Sequence, residues 1–366
     1  SISFKQNGGI NFSTNWELKK LGVLADIKKG TSITQANTKD GKIKVVAGGR
    51  DFAYFHNDFN RDEYTITISA SGAYAGFVNI WREKIFASDC TTIRANDKIT
   101  TLYIYNILKY IQNDIYSLAK GQAQPHVYPN DLENIKIPLP PLEIQHKIVE
   151  ECEKIDSNVA NLTQIIIKGK NEIELLINSA INKSDKLFRL SDETLFEVSI
   201  GRRVLQNEID NNTDGLPVYS ANVYEPFGYI KKQLIEDFGI PSVIWGIDGD
   251  WMVNYIPANK PFYPTDHCGY LRVKSNEIHY RFLAWALEKE GRNARFSRAN
   301  RASIDRIKGI EIRVPSIEEQ HKIVDEIENF EMQILKAEQI INESANMKNE
   351  IIKKYNLPDN YLLFVG

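Results

Sequence analysis

Residues 143–149 read EIQHKIV and residues 318–324 read EEQHKIV, so nearly the same seven residues occur twice in this 366-residue chain. The two stretches are 175 positions apart, and the same offset relates further identical pairs: Ile135 and Ile310, Ile137 and Ile312, Pro140 and Pro315, Glu151 and Glu326, and Glu153 and Glu328. This spacing is too long for one unit of a solenoid and fits a duplicated domain. We therefore predict that the chain contains two copies of one unit.

Each copy of the repeat predicts a long helix. In both copies a proline precedes a Glu-rich first turn, which is the usual start signal of a helix. Apolar positions then recur at alternating steps of four and three, the heptad seam of a coiled coil. The seam residues are Ile148, Ile155, Val159, Leu162, Ile166 and Ile173 in the first helix, and Ile323, Ile327, Phe330, Ile334, Ile341 and Ile351 in the second. Antiparallel packing would place the small Gly169 beside the large Ile334, so it is favoured over two helices that each cap only their own domain.

The two long segments outside the repeated helices resemble each other more weakly. Each contains a short helical or irregular stretch leading to a glycine, Gly30 or Gly201, then an apolar strand that runs into a glycine turn, a short strand with a cysteine and an aromatic-rich helix. Short strands with Gly, Pro and Asn turns and few helices are typical of mixed α/β domains. We predict an α+β chain with domains at residues 1–140 and 185–315, long helices at 141–184 and 316–356, and a C-terminal tail at 357–366.

Composition is that of an ordinary globular protein, with 42% hydrophobic and 25% charged residues. The net charge of −3 hides an asymmetry, because the two long segments hold 35 Lys and Arg against 31 Asp and Glu, whereas the helices and tail hold 10 against 17. Any DNA contact is therefore expected on the long segments. No apolar run has the length of a membrane span, the start does not resemble a signal peptide, and the three cysteines form no CxxC pair. We therefore expect a cytoplasmic protein without a membrane partner.

Few residues suit catalysis. Asp248 and Asp250 flank a glycine in GIDGDW (246–251), and paired carboxylates can bind a metal or transfer protons, but the further ligands of an EF-hand loop are missing. The corresponding stretch of the first segment, SGAYAG (71–76), has no carboxylate, so we interpret GIDGDW as a turn. The six histidines show no metal-ligand spacing, and no nucleophile elbow, phosphate-binding loop or complete dinucleotide motif is present. We predict no catalytic residue, metal or cofactor on this chain.

The strongest charged feature is an arginine run within residues 291–313, with four arginines at a spacing of three and no acid before Asp305. Such spacing on a helix or turn keeps the side chains on one side, and arginine suits both phosphate and guanine. The corresponding residues 120–131 carry amide side chains, which can pair with adenine. We predict that both stretches contact DNA, together with residues at the matching glycines and at neighbouring turns. The full set is Lys28, Lys29, Thr31, Arg50, Tyr74, Lys120, Gln122, Gln124, His126, Arg202, Arg203, Trp251, Arg292, Arg295, Arg298, Asn300 and Arg301.

The order of domain, proline-led helix, domain and proline-led helix resembles the specificity (S) subunits of type I restriction-modification enzymes. The resemblance is carried by IKIPLPPLEIQHKIVEECEKID (135–156) and IEIRVPSIEEQHKIVDEIENFE (310–331) and extends over nearly the full length. It implies two target-recognition domains related by a pseudo-two-fold axis and separated by an antiparallel coiled coil, each reading one half of a bipartite sequence in double-stranded DNA. A helix of about 38 residues is roughly 55 Å long, which exceeds one DNA turn of about 34–36 Å, so an unread spacer between the half-sites is expected.

The same resemblance implies partners. Methyltransferase (M) subunits would bind S-adenosylmethionine and methylate adenine, and translocating nuclease (R) subunits would cleave. The acidic outer faces of the two helices would then be free for a partner subunit or solvated; their residues are Glu150, Glu151, Glu153, Asp325, Glu326 and Glu328.

Three other hypotheses stay open. The chain is short for that family, which leaves room for the specificity subunit of a type IIB or methylation-only system. Two alternatives come from other classes: a metal-dependent enzyme that uses Asp248 and Asp250, and an adaptor in which the coiled coil is the functional part.

Overall fold

The computed structural model describes residues 16–121, 124–184, 186–209 and 214–355. The chain forms two compact units: Ser1–Thr163 with Glu338–Gly366, and Gln164–Ala337. Each unit therefore contains one sheet domain and a part of both long helices. In the described part of the chain, no helix is long and apolar enough to span a membrane.

The first unit is built on a four-stranded antiparallel sheet. Its strands are β1 (Leu18–Lys20), β2 (Ala25–Lys29), β3 (Ile43–Val46), β4 (Phe52–His56), β5 (Thr65–Ser69), β6 (Val78–Trp81), β7 (Ile85–Ala87), β8 (Cys90–Ala95) and β9 (Lys136–Pro138). Its helices are α1 (Leu21–Leu24), α2 (Lys98–Tyr110), α3 (Gln112–Ser117) and α4 (Pro129–Glu133), and the long helix α5 (Leu142–Lys183) follows. The central sheet has the order β2-β8-β5-β6, and the smaller sheets are β4-β3-β7 and β1-β9.

Local sequence explains the two main elements of this unit. Strand β5 reads TITIS and is buried along its whole length, as β-branched residues in a central strand favour. Asp97 precedes helix α2, and its carboxylate accepts a hydrogen bond from the backbone N–H of Thr100 at 2.8 Å and so caps the first turn. The apolar face of α2, which includes Leu102 and Tyr103, packs in the same buried cluster as the sheet residues Ile66 and Ile93.

The second unit repeats this topology. Its strands are β10 (Leu187–Arg189), β11 (Phe196–Ile200), β12 (Leu216–Tyr219), β13 (Tyr229–Ile230), β14 (Ser242–Gly246), β15 (Val253–Ile256), β16 (Tyr263–Pro264), β17 (Cys268–Val273) and β18 (Glu311–Arg313). Its helices are α6 (Tyr280–Asn293) and α7 (Ile304–Lys308), and the second long helix α8 (Ile317–Lys354) follows. The sheets have the orders β11-β17-β14-β15, β13-β12-β16 and β10-β18. Two similar mixed α/β domains are therefore present, as predicted.

Each of the two matching glycines, Gly30 and Gly201, directly follows the last residue of a strand. The stretches before Gly30 and Gly201, expected to be helical or irregular, are strands β2 and β11, so that expectation was wrong. A Cβ atom on Gly30 would lie 2.0 Å from the carbonyl oxygen of Ser88, and one on Gly201 would lie 1.9 Å from that of Pro264. Only glycine allows this close approach of two backbones, which explains why it occurs in both copies.

The two long helices pack antiparallel. In the first unit, Ile148 and Cys152 of α5 share a buried cluster with Ile352 and Tyr355 of α8, so the beginning of α5 lies beside the end of α8. In the second unit, a Cβ on Gly169 of α5 would lie 3.2 Å from the side chain of Ile334, in the first half of α8. The predicted seam residues are all buried or half-buried.

Candidate nucleic-acid interface

Three loops of the first unit meet at one end of its central sheet: the loop after β5, the turn between β7 and β8, and the loop between α3 and α4. The backbone N–H of Ala70 donates to the carbonyl oxygen of Asp89 at 3.3 Å, and the carbonyl oxygen of Ala70 accepts from Val127 at 3.0 Å. The hydroxyl of Ser71 also bonds to the Asp89 carboxylate. Because β5 is fully buried, it fixes the position of this loop cluster.

The second unit makes the same backbone contacts with different side chains. The N–H of Ile247 donates to the carbonyl oxygen of His267 at 3.0 Å, and the carbonyl oxygen of Ile247 accepts from Ala302 at 3.2 Å. Ile247 thus takes the place of Ala70, and the same three loops converge. The side chains that surround this point are Ser71, Asp89 and His126 in the first unit, and Asp248, His267 and Arg301 in the second.

A fourth loop joins each cluster through an asparagine. Asn79 on β6 donates from Nδ2 to the carbonyl oxygen of Arg50 at 3.4 Å, and Asn254 on β15 donates to that of Val223 at 2.7 Å. Neither asparagine was among the sequence candidates. They lie 175 positions apart, so the offset that relates the two QHKIV stretches could have found them.

Arg50 and Tyr74 contact each other in the first cluster. The guanidinium carbon of Arg50 lies 4.7 Å from the ring centroid of Tyr74, and 41% of Tyr74 is exposed. A cation–π contact at an exposed site is worth about 0.5–1 kcal/mol and orients the arginine without neutralising it. The predicted pair is therefore brought together and stays accessible to an anion.

The residues at the matching glycines lie at the same end of each sheet. Lys29 at the end of β2 is paired with Thr91 of β8, and Ser69 at the end of β5 is paired with the adjacent Cys90, so β2 and β5 end at the same end of the first sheet. In the second sheet, Ile200 of β11 and Gly246 of β14 are paired with the adjacent Gly269 and Cys268 of β17. Lys28, Lys29, Thr31, Arg202 and Arg203 are all exposed there. Lys28 forms an ion pair with Asp26.

The loop between α3 and α4 carries the other candidates of the first unit. Lys120 and His126 exchange two backbone hydrogen bonds of 2.9 Å, and Lys120 Nζ lies 2.9 Å from a carboxylate oxygen of Asp131. Gln124 is exposed, and Gln122 lies outside the described residues. The ring of His126 stacks on Tyr128 with centroids 6.1 Å apart, and sequence reasoning missed Tyr128 although half of it is exposed.

The arginine run does not form a regular face. Helix α6 ends at Asn293, and Arg295 has a φ of 57° in the left-handed region, so the spacing of three is interrupted. Arg292, still on the helix, pairs with Glu288 at 2.6 Å, whereas Asn300 holds the loop by donating to the carbonyl oxygens of Ala294 and Arg295 at 3.0 and 3.1 Å. Arg295 and Arg298 are exposed, and no carboxylate of the described residues lies within ion-pair distance of either.

Arg301 forms a cluster with Asp248 and His267. Arg301 Nη2 donates to Asp248 Oδ2 at 3.0 Å, and His267 Nδ1 lies 2.5 Å from the same oxygen. Burial by itself raises the pKa of Asp248, but the hydrogen bonds from His267 and Arg301 outweigh it and lower that pKa below its usual value. Within the described ranges, no group of three or more His, Cys, Asp or Glu side chains is placed to hold a metal ion.

Trp251 packs against the protein. Its Nε1 donates to the carbonyl oxygen of Glu288 at 2.9 Å, and its ring lies 5.0 Å from that of Phe296. A Cβ on Gly291 would lie 2.2 Å from the indole, so α6 needs a glycine at this contact. Trp251 thus anchors the loop that follows α6, and its predicted DNA contact stays a prediction.

The acidic faces of the long helices are partly occupied by the protein itself. Glu153 and Asp156 of α5 pair with Arg82 in the first unit. Glu328 and Glu331 of α8, 175 positions later, pair with Arg281 in the second. Glu151 pairs with Lys354 at 2.9 Å. The expectation that these acids are free for a partner subunit or solvated was therefore wrong for Glu151, Glu153 and Glu328, which pair with basic residues from other elements of their own unit. Glu150 pairs with Lys154 on the same helix.

The model of the type I restriction modification DNA specificity domain matches this chain twice, at residues 13–174 and 185–344. Among curated relatives, a protein named as a type I specificity subunit in Mycoplasma pneumoniae is 30% identical over 162 residues, 43% of this chain and 43% of the relative. The type I restriction enzyme MjaVIII specificity subunit of Methanocaldococcus jannaschii is 28% identical over 204 residues, 51% of this chain and 45% of the relative. The matched stretches span less than half the length of these two relatives.

Solved structures show the same fold. The S subunit of a type I restriction-modification system from M. genitalium has a TM-score of 0.67 and 19% identity, over 96% of this chain and 98% of that chain. A chain from a study of complex assembly in the type I system has a TM-score of 0.56 and 17% identity, over 98% of this chain and 100% of that chain. Each match of the family model covers one sheet domain and most of the long helix that follows it. This chain therefore belongs to the family of type I restriction-modification DNA specificity proteins.

Proposed function

We propose that this chain is the DNA-sequence specificity subunit of a type I restriction-modification complex and recognises a bipartite target in double-stranded DNA. The observation that carries the proposal is the repeated loop cluster. Ala70 and Ile247 make the same backbone hydrogen bonds in the two units, while the side chains around them differ. One scaffold with two different sets of polar side chains is what two different half-sites require.

The polar and charged side chains of the two clusters fall into two groups, one suited to phosphate contacts and one suited to base contacts. Phosphate contacts position a protein and base contacts specify the sequence. Exposed cations without an ion-pair partner among the described residues, such as Lys29, Arg202 and Arg295, suit phosphates. Gln124 carries an adjacent donor and acceptor, and Arg301 carries two parallel donors; both arrangements match base edges.

Methyltransferase subunits would dock on this chain, bind S-adenosylmethionine and methylate adenine; nuclease subunits would join through the complex. The specificity subunit itself then contributes no catalytic group, and it works in the cytoplasm with its DNA. Exposed apolar side chains on the long helices of the second unit support a docking surface there, since Leu175 is 63% and Leu335 is 67% exposed. Such side chains gain free energy when a partner covers them.

Mapping of methylated adenines in cells that express this chain with its methyltransferase partner tests the proposal. We expect a split motif with a fixed gap, which disappears when this chain is omitted. A continuous motif would contradict the two-half-site reading. Methylation at the same sites without this chain would contradict the specificity role itself.

A further inference from the structure

Arg301 is fixed through the residue that follows it. Ala302 is 1% exposed, its N–H donates to the carbonyl oxygen of Ile247 at 3.2 Å, and its carbonyl oxygen accepts from Trp245 Nε1 at 2.9 Å. The carbonyl oxygen of Arg301 accepts from Arg306 Nη1 at 3.3 Å. The backbone of this exposed loop is thus tied to the buried end of β14.

The guanidinium of Arg301 is held as well. Its Nε and Nη2 face the two carboxylate oxygens of Asp248, and His267 donates from Nδ1, 2.5 Å away, to one of these oxygens. Because the pKa of Asp248 is lowered, this carboxylate is charged at neutral pH. The ion pair with Asp248, which acts as a brace on the Arg301 side chain, therefore forms before a ligand binds.

One edge of the guanidinium is left for a ligand. A guanidinium carries five N–H donors, and Asp248 takes one from Nε and one from Nη2. Three donors remain, and two of them, one on Nη1 and one on Nη2, lie along the Nη1–Nη2 edge; the side chain is 58% exposed. Two parallel donors match the O6 and N7 acceptors of guanine in the major groove. A side chain without this ion pair would lose conformational entropy on being ordered by the DNA, and the contact with Asp248 removes most of that cost.

The neighbouring cations lack this arrangement. Arg295 and Arg298 have no carboxylate brace among the described residues, which suits contacts with phosphate rather than with one base edge. In the first unit, the three converging loops contain no arginine, so the corresponding position there has different chemistry.

We propose that Arg301 reads the guanine of a G·C base pair in the half-site bound by the second unit, and that Asp248 is a positioning residue that presents its guanidinium. His267 supports the carboxylate from the other side. The inference rests on the proposed DNA-specificity function and adds the base class read at one position.

Selection from a randomised duplex DNA library with the purified full-length chain tests this. Four proteins are compared: the wild type, Arg301→Lys, Asp248→Asn and the control Arg189→Lys. Lysine keeps the charge but lacks the paired donors, so Arg301→Lys should lose the preference for guanine at one position by about tenfold or more. Asp248→Asn should relax the same position by less, and the other half-site should stay unchanged. Arg189 is 73% exposed and pairs with Glu311 at 2.8 Å on the β10–β18 sheet, so its variant should select the wild-type motif.

The outcomes distinguish a failure of the guanine assignment from a failure of the proposed function. If Arg301→Lys selects the complete wild-type motif with an affinity that is lower on every sequence, Arg301 contacts phosphate; the guanine assignment is then overturned while the specificity function stands. If the wild type enriches no sequence, the proposed function fails and this inference fails with it. Relaxation at a position of the other half-site would also overturn the assignment to the second unit.

Discussion

Gln320 donates a hydrogen bond from Nε2 to the carbonyl oxygen of Pro315 at 2.9 Å, and Gln145 makes the same contact with Pro140 at 2.9 Å. Both glutamines are buried, with 0% and 4% of their surface exposed. Each ties the first turn of a long helix to the proline that precedes it. The repeated QHKIV sequence therefore fixes how the helices begin, and the DNA candidates lie in the unlike loops between the copies.

The two glutamines differ in their other contacts, so their removal should have unequal costs. Gln320 Nε2 also donates to the carbonyl oxygen of Glu277 at 2.9 Å, and its Oε1 accepts from the N–H of His279 at 2.8 Å. Gln145 Oε1 has no partner among the described residues. Gln320→Ala leaves buried groups unpaired and should cost about 2–4 kcal/mol of unfolding free energy, against about 1 kcal/mol for Gln145→Ala. Urea unfolding of the full chain measures both, and equal costs would contradict the difference in contacts.

A histidine caps α6 and should make the second unit sensitive to acid. His279 Nδ1 accepts from the N–H of Arg281 at 3.3 Å, and its ring lies 5.1 Å from that of His321. Burial, then the nearby His321 and Arg281, lower the pKa of His279 from its ordinary value of 6.5, while Glu328 and Asp325 oppose this. The unfolded chain therefore takes up the proton first as pH falls below 6.5. Stability is full above that pH and is lost progressively down to the folded pKa.

The variant His279→Asn keeps a capping side chain without a titrating group. Its melting temperature should fall less than that of the wild type between about pH 7 and about pH 5, a range that brackets the ordinary histidine pKa of about 6.5. His126→Asn is the control, because His126 caps none of the helices in the described residues. A wild-type pH profile that His279→Asn leaves unchanged would show that other groups cause the acid sensitivity.

Acids at equivalent positions of the two long helices pair with arginines, and these two arginines differ in how much of the side chain is exposed. The Arg281 side chain is 8% exposed and its Nη2 lies 2.6 Å from Glu331, whereas Arg82, which pairs with Asp156, is 43% exposed. Arg281→Met leaves two carboxylates without their cation and should cost about 1–3 kcal/mol. Arg82→Met should cost less than about 1 kcal/mol because exposed pairs contribute little. Denaturant unfolding of both variants tests this order, and a larger cost at Arg82 would refute it.

The coiled coil could be predicted because its seam is a local periodic pattern, and Gly30 and Gly201 could be matched because both copies need the same backbone contact. The arginine partners could not, since Arg82 follows β6 whereas Arg281 lies within α6, and no local pattern relates them. The short strand β2 was misread because its five residues alternate weakly and are ordered by β8, far along the chain. The prediction that the four arginines lie on one side was wrong because the spacing of three continues past the end of α6 at Asn293. The left-handed backbone conformation of Arg295 changes the chain direction there.

The antiparallel register can be tested at Gly169. Gly169→Leu would insert a large side chain where a Cβ alone would already lie 3.2 Å from Ile334, and overpacking of this kind costs about 1–3 kcal/mol. Ile334→Ala opens space at the same layer, so the double variant should be more stable than the sum of the two single changes predicts. Thermal unfolding of the four proteins gives the coupling. Additive costs would mean that these two residues do not meet.

The exposed arginines after α6 should contribute to DNA affinity through phosphate contacts. Each phosphate contact that is lost reduces the slope of log affinity against log salt by about 0.9, so Arg295→Ala with Arg298→Ala should flatten the slope by roughly 2 and weaken every sequence alike. Binding of a fixed duplex by the full chain at several salt concentrations measures this. Lys186→Ala, which removes an exposed cation paired with Glu277 next to the β10–β18 sheet, is the matched control and should keep the wild-type slope. A slope that the double variant leaves unchanged would exclude both arginines from the phosphate contacts, because counterion release depends only on the charges that meet the DNA.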